Sequence, residues 1–306
     1  MILRANVEVL INASAGTRPV EPLVENIRNY FSACHVDANV TAARDGGQLD
    51  AAARRAVATK PDVIVAGGGD GTVSTVAGVV AGSGIPLGVL PLGTLNHFAK
   101  DAGIPLDLAA AVETVCRGRL TRVDVGRVNG RVFVNNSSLG LYPQVVRIRD
   151  EMRHGLGRGK WPAFVWAALL VLRRFPFVRV EINVDGTVLR RRTPVVFIGN
   201  NSYELNGLHL GARKRLDAGH LSIHIIKRTD RLGLISLAGR ALVGRLRNAR
   251  DFETLRATHM KVNTRHTHIT VATDGEVGRF KAPLIYEIDK GALSIVVPEK
   301  AAATKA

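Results

Sequence analysis

The residues with the most legible chemistry are Gly67, Gly68, Gly69, Asp70, Gly71 and Thr72, placed directly after the apolar run Val63-Ile64-Val65-Ala66. The run reads as a buried strand. The glycines let the main chain turn sharply and come close to a ligand. Thr72 suits the start of a helix on which Val73, Val76, Val79 and Val80 recur at helical spacing. Strand, glycine loop and helix start make a place for phosphate, because unpaired N–H groups and the helix dipole both favour negative charge. An acid planted there has a reason if a divalent cation stands between it and the phosphate. A tight turn with Asp70 as a local cap accounts for the same residues, and the stretch alone leaves both readings open.

Two other stretches carry reactive groups. Residues 91–100 offer Gly93, Thr94 and Asn96, a hydroxyl and an amide beside a flexible glycine, which suits nucleotide contacts; a helix start capped by Thr94 is the plainer alternative. Asp274-Gly275-Glu276 follows a strand ending at Ala272, and its glycine lets a carboxylate project from the turn. An ordinary Asp-Gly turn with two solvated acids fits that tripeptide equally.

The surrounding pattern positions these groups. Residues 7–11 read as a first strand with Asn12, Ser14 and Gly16 in the loop after it, residues 36–40 as a second strand ending at Thr41, and residues 87–90 as a fourth. Helical faces lie between them, at Val20, Leu23, Val24, Ile27 and Phe31, and at Leu49, Ala52, Ala53 and Ala56. Alternating strands and helices imply a parallel sheet covered on both faces, which binds ligands at the carboxyl ends of its strands. Asn12, Thr41, Asp70 and the loop after Leu90 all fall at that edge. Past residue 120 the pattern turns to short strands, with hairpin signals at Asn129-Gly130 and Asp185-Gly186. The second half therefore reads as a β-sandwich. Two helical segments interrupt it: residues 160–172, apolar all round, and residues 231–250, amphipathic and rich in arginine. Each fits either a membrane-facing role or ordinary packing.

The two loops, in this order and at this spacing, resemble the diacylglycerol kinase and sphingoid-base kinase family in its bacterial soluble lipid kinase branch. Residues 68–72 match its Gly-Gly-Asp-Gly-Thr, residues 91–96 its Pro-x-Gly-Thr-x-Asn, and residues 12–16 resemble its Asn-Pro-x-Ser-Gly, with Ala13 in place of the proline and Ala15 in place of the serine. The resemblance implies a Rossmann-like nucleotide domain over residues 1–122, a β-rich lipid domain over residues 123–289, a cleft between them, and a strand near residues 290–300 returning to the first domain. It implies ATP binding by Asn12, Ser14, Gly16, Thr41, Gly67 to Thr72, Gly93, Thr94 and Asn96. Glu276 takes the role of proton acceptor, with Asp274 orienting it or helping to hold metal, and Asp70 holds catalytic Mg²⁺ through ATP. His97 stands where many members carry Asp. Ala218 replaces the second Asp of a Leu-Asp-Asp-Gly-x-Leu pattern that holds a structural Mg²⁺ in bacterial members, which leaves Asp217 alone for that ion.

Composition narrows the rest. The chain has 306 residues, 46% hydrophobic, two cysteines and a net charge of +16. Two cysteines build no disulfide framework or zinc knuckle, and a reducing compartment fits. No apolar run reaches the ~20 residues of a spanning helix, and the first residues lack the pattern of a signal peptide. The charge calls for an acidic partner. With the resemblance, this gives ATP, a lipid alcohol and an anionic membrane surface met from the cytoplasmic side; a homodimer is compatible. A soluble NAD kinase-like enzyme shares the glycine loop but explains residues 91–96 less well. A nucleic-acid binder would explain the charge, but nine Phe, four Tyr and two Trp form no basic-aromatic recognition motif.

Overall fold

The structure is a computed structural model that describes residues 6–13, 19–140, 177–184, 186–206, 209–213, 215–226 and 252–299. The chain divides into two compact units. The first contains residues 1–125, 215–218 and 289–306; the second contains residues 126–214 and 219–288. Ser14, Gly16 and the helical segments at 160–172 and 231–250 lie outside the described residues.

The first unit alternates strand and helix in chain order: β1 (Val7–Asn12), α1 (Val20–Ala33), β2 (Ala38–Ala43), α2 (Gly46–Thr59), β3 (Val63–Gly68), α3 (Asp70–Val80), β4 (Leu87–Pro91), α4 (His97–Asp101), α5 (Leu108–Arg117) and the start of β5 (Arg119–Val128). The strands β2-β1-β3-β4 run parallel side by side. Every residue of β3 and β4 is buried, as expected for strands covered on both faces. Helix α2 starts at Asp45, whose carboxylate accepts the Gln48 N–H, and α5 starts likewise at Asp107 with Ala110.

β2 starts two residues later than the sequence pattern suggested. After α1 the chain makes a further turn in which the Val36 N–H bonds the Phe31 carbonyl and His35 takes a left-handed φ of 60°. The strand therefore runs on to Ala43. Thr41, expected at its carboxyl end, lies inside it opposite Leu10, while Asn12 pairs with Ala43.

Among the described residues the second unit holds two larger antiparallel sheets and a two-stranded ribbon of residues 204–206 and 209–212. Its strands are the end of β5, then β6 (Arg131–Phe133), β7 (Asn136–Gly140), β8 (Val178–Val184), β9 (Thr187–Thr193), β10 (Val195–Asn200), β11 (Glu204–Asn206), β12 (His209–Ala212), β13 (Leu221–Ile226), β14 (Phe252–Ala257), β15 (His259–Thr264), β16 (His268–Thr273), β17 (Glu276–Lys281) and the first part of β18 (Leu284–Val297). One sheet has the order β14-β13-β10-β7-β16-β17. The other brings β9, β8, β15 and β18 together. Their facing residues alternate along each strand, Val196 and Ile198, Leu221, Ile223 and Ile225, Val180 and Ile182, and close a common core around Phe133 and Tyr286. The strand expected near residues 290–300 is the end of a 14-residue strand, and its last part pairs with β4 within the first unit through Ile295 and Leu87. The Asn129-Gly130 turn closes β5 onto β6 with both φ positive, 47° and 82°.

Strand β13 also carries His224, whose ring is 3% exposed between Phe197 and Phe252, with Nδ1 against the Thr254 hydroxyl at 3.1 Å. Burial pushes this imidazole from 6.5 down to about 4. The folded value lies below the unfolded one, so this contribution to stability is complete above pH 6.5 and is lost as pH falls towards 4. Thermal melts over that range should show the melting temperature falling, and His224→Asn should flatten the fall; an equally steep curve in the variant would show that other groups cause it.

Candidate functional site

In the first unit, β3 and β4 end side by side and their loops touch. Gly68 pairs with Pro91, and the Leu92 N–H bonds the Gly68 carbonyl at 3.1 Å. Gly69 is the N-cap of α3 and supplies no side-chain cap. Thr72 is buried in the first turn, its side chain packed beneath Gly68, where a Cβ would collide with it. Across the gap a Cβ on Gly93 would run into Gly69 Cα. Glycine at positions 68 and 93 is thus a matter of space: at Gly68 it makes room for the Thr72 side chain, and at Gly93 it lets two main chains lie against each other.

Asp70 locks that contact. Its Oδ1 accepts the Phe98 N–H at 2.9 Å and its Oδ2 accepts the His97 N–H at 3.1 Å. Helix α4 has no side-chain cap of its own, because Asn96 enters it in a left-handed conformation and turns its amide back into the loop. Asn96 Nδ2 donates to the Pro91 and Gly93 carbonyls, and its Oδ1 accepts the Gly93 N–H. Asn96 is buried and shapes the loop from within, whereas Thr94 stands exposed beside it. Asn12 ends β1 at the same edge, where Ile11 pairs with Gly67.

In the second unit, the Asp274-Gly275 turn joins β16 to β17 with φ of 49° and 86°. Asp274 is 8% exposed, and its carboxylate accepts three main-chain N–H groups: Val134 at 2.7 Å, Asn135 at 2.8 Å and Asn136 at 2.9 Å. Its own N–H returns a bond to the Asn136 carbonyl. This carboxylate serves the main chain around it and so fixes the turn from which Glu276 projects. Glu276 is half-exposed, and its Oε2 meets Arg131 Nη2 at 2.7 Å.

Sequence reasoning missed Arg213. Its guanidinium is buried, with Nη1 on the Val134 and Asn200 carbonyls, Nη2 on Asn135 Oδ1 at 2.7 Å, and the Tyr203 ring 5.4 Å away. Nothing in the run Arg213-Lys214-Arg215 marks which cation goes inside. Asp124, also unremarked in the sequence, is buried in the first unit and joins two segments, its N–H bonding the Leu216 carbonyl and its Oδ1 accepting the Gly291 N–H.

Residues 6–128 match the diacylglycerol kinase catalytic domain, and residues 137–297 match the YegS C-terminal NAD kinase β-sandwich-like domain. The chain belongs to the diacylglycerol kinase catalytic-domain family. It is 26% identical over 275 residues to the diacylglycerol kinase of Bacillus subtilis strain 168, covering 88% of this chain and 89% of that one. It is 26% identical over 231 residues to a diacylglycerol kinase of Staphylococcus aureus strain bovine RF122 / ET3-1, covering 74% and 72%. A crystal structure of a diacylglycerol kinase from Bacillus anthracis strain Sterne superposes with a TM-score of 0.69 at 22% identity, over 95% of this chain and 96% of that one. A second crystal structure from the same organism gives a TM-score of 0.74 at 22% identity, with the same coverage. The diacylglycerol kinase family fold expected from the sequence, an α/β domain and a β-sandwich domain, is thus shown. Membership makes this chain a phosphotransferase with an alcohol acceptor.

The family implies ATP. A magnesium ion carried with the nucleotide would find a hard oxygen ligand in Asp70 at the end of the glycine loop, and Mg²⁺ is commonly held by one or two carboxylates plus substrate phosphates and water. Asp217 does not suit a structural Mg²⁺. Arg215 grips both of its oxygens, Nε on Oδ1 at 3.0 Å and Nη2 on Oδ2 at 3.3 Å, and Ala218 has no ligand atom in its side chain. The Arg215 hydrogen bond holds the Asp217 carboxyl below its usual range.

Gly93→Ala should force the two loops apart and destabilise the protein by roughly 1–3 kcal/mol, the usual cost of overpacking. Gly46→Ala, with nothing within 4 Å of the new Cβ, is the matched control. Equal denaturation midpoints for the two variants would show that the loops do not depend on this contact.

Proposed function

We propose that the chain is an ATP-dependent lipid kinase that moves the γ-phosphate of ATP to the hydroxyl of a diacylglycerol-like or sphingoid- or ceramide-like lipid. The observation that carries this reading is the pair of glycine loops held against each other by Asp70, with α3 presenting an N-terminus free of any side-chain cap. Such an edge suits phosphate, because main-chain N–H groups and the helix dipole favour negative charge. Gly67, Gly68, Gly69, Gly71, Thr72 and Gly93 shape the main chain that meets the phosphates, Asn96 holds that shape, Asn12 and Thr94 lie along the same sheet edge or its loops, and Thr41 sits inside β2, short of that edge. Magnesium bound with the nucleotide would neutralise phosphate charge, and Asp70 is the carboxylate that would hold it.

The acceptor hydroxyl oxygen attacks the γ-phosphorus, the bond to the bridging oxygen breaks, and ADP leaves. The hydroxyl proton passes to Glu276. Asp274 supports that acid through the turn. The net charge of +16 favours an anionic membrane surface as the place where lipid is met. Among the described residues no helix is long and apolar enough to cross a membrane, which accords with an approach from one side, at the inner face of the cytoplasmic membrane.

Incubation of the pure protein with γ-labelled ATP, Mg²⁺ and a panel of diacylglycerol, sphingoid base, ceramide, phosphatidylglycerol and NAD, read by mass spectrometry, tests the reading. Label in a lipid is the expected result; label in NAD alone overturns it. Glu276→Gln should keep ATP binding and lose about 10²–10⁴-fold in transfer, the usual contribution of a positioned base. Asp70→Ala should lower turnover at least as severely. A near-wild-type rate in the Gln variant would remove Glu276 from the mechanism.

A further inference from the structure

The geometry points to Arg131 as the residue that positions Glu276 for proton transfer, an inference that rests on Glu276 being the proton acceptor. Glu276 opens β17 immediately after the turn, so its main chain is fixed by the hairpin while its side chain is 48% exposed. Its one polar partner among the described residues is the Arg131 guanidinium, at 2.7 Å from Oε2. That single-point contact leaves Oε1 outside the ion pair, and a base needs one oxygen to receive a proton while the other is held.

The placement of Arg131 is built into the fold at two points. It starts β6, and the residues that follow β6 are Val134, Asn135 and Asn136, whose N–H groups grip Asp274. One short segment therefore holds the hairpin by its main chain on Asp274 and by its side chain on Glu276. The second point is Gly278, two residues after Glu276 and so on the same face of β17. A Cβ there would stand 3.3 Å from Arg131 Nη1 and 3.0 Å from Phe280 Cε2. Glycine weakens a strand interior unless something else needs the space, and here Phe280 and the guanidinium use it. The arginine lies across the strand and reaches Glu276 from that side.

A solvent-screened ion pair of this kind contributes little to stability, so its effect should be read in kinetics. The test compares the whole protein with Arg131→Met, Arg131→Lys, Glu276→Gln and the double variant Arg131→Met/Glu276→Gln, measuring kcat, KM for ATP and the melting temperature with the lipid acceptor found in the panel. Arg131→Met is expected to lose about 10–100-fold in kcat, the scale of a misplaced catalytic group, with KM for ATP and melting unchanged. Arg131→Lys should recover part of the loss, since a cation returns without the planar fork. In the Glu276→Gln background, Arg131→Met should have no further effect, because its role acts through the missing carboxylate. A wild-type kcat in Arg131→Met beside an inactive Glu276→Gln overturns the positioning role alone. So does an equal loss from Arg131→Met in both backgrounds, or a loss confined to KM for ATP. An active Glu276→Gln overturns the base assignment and this role with it.

Discussion

A charge taken out of water must be met by partners, and in the second unit the Asp274 carboxylate sets the terms. It asks for three donors at one point, and the chain supplies them as three consecutive N–H groups. Three neighbouring N–H groups cannot converge from a regular strand, where they alternate in direction. The chain bends at Val134 and Asn135, β6 stops at Phe133, and β7 starts at Asn136. The bend leaves the Val134 carbonyl without a ladder partner, and it is answered by Arg213 and by Asn200 Nδ2, while Asn135 carries Arg213 and the Asn200 N–H. One buried acid thus explains the break between two strands, the polar residues packed behind it and the burial of an arginine.

The first unit solves a related problem with the same device. A five-residue helix, α4, begins without a cap because its N-cap residue has turned its side chain away. The missing acceptor comes from Asp70, in a different loop, 27 and 28 residues earlier. An amide at either acid would present donors as well as an acceptor to N–H groups that need acceptors only. Carboxylate is therefore required at both places for the fold itself, before any ligand is considered.

This also sets the boundary of what was legible in the sequence. Local chemistry was readable: the β-branched run before the glycines, the Asn-Gly and Asp-Gly turns with their positive φ, and the alternation of β13. The position of Thr41 was misread because a left-handed residue, His35, inserts a turn that no hydrophobic pattern records. Strands β14 and β17 are hard to read because their outward positions carry Arg256 in one and Arg279 and Lys281 in the other, so short alternating stretches look like surface loop. Arg131 and Arg213 were invisible for a different reason: their partners lie 145 and about 80 residues away in the chain, and a sequence does not say which of its many cations meets which acceptor. With Ala218 beside it, Asp217 was already a poor place for a structural metal, and the sequence did not show that Arg215, two positions back, pairs with it.

The distribution of hydrogen bonds separates the acids by what each is able to do. Asp274 is buried and its oxygens face main-chain donors. Asp70 has each oxygen against an N–H of α4, an arrangement that leaves it able to accept a cation but ill suited to swing towards a substrate proton. Glu276 alone combines a fixed main chain, a half-exposed side chain and an ion pair on a single oxygen. A group that must take a proton in the transition state has to be held in place without being saturated. Shape, burial and pairing are therefore those that the role proposed for Glu276 requires, and the hydrogen bonds of the two aspartates give them the work of keeping their loops where they are.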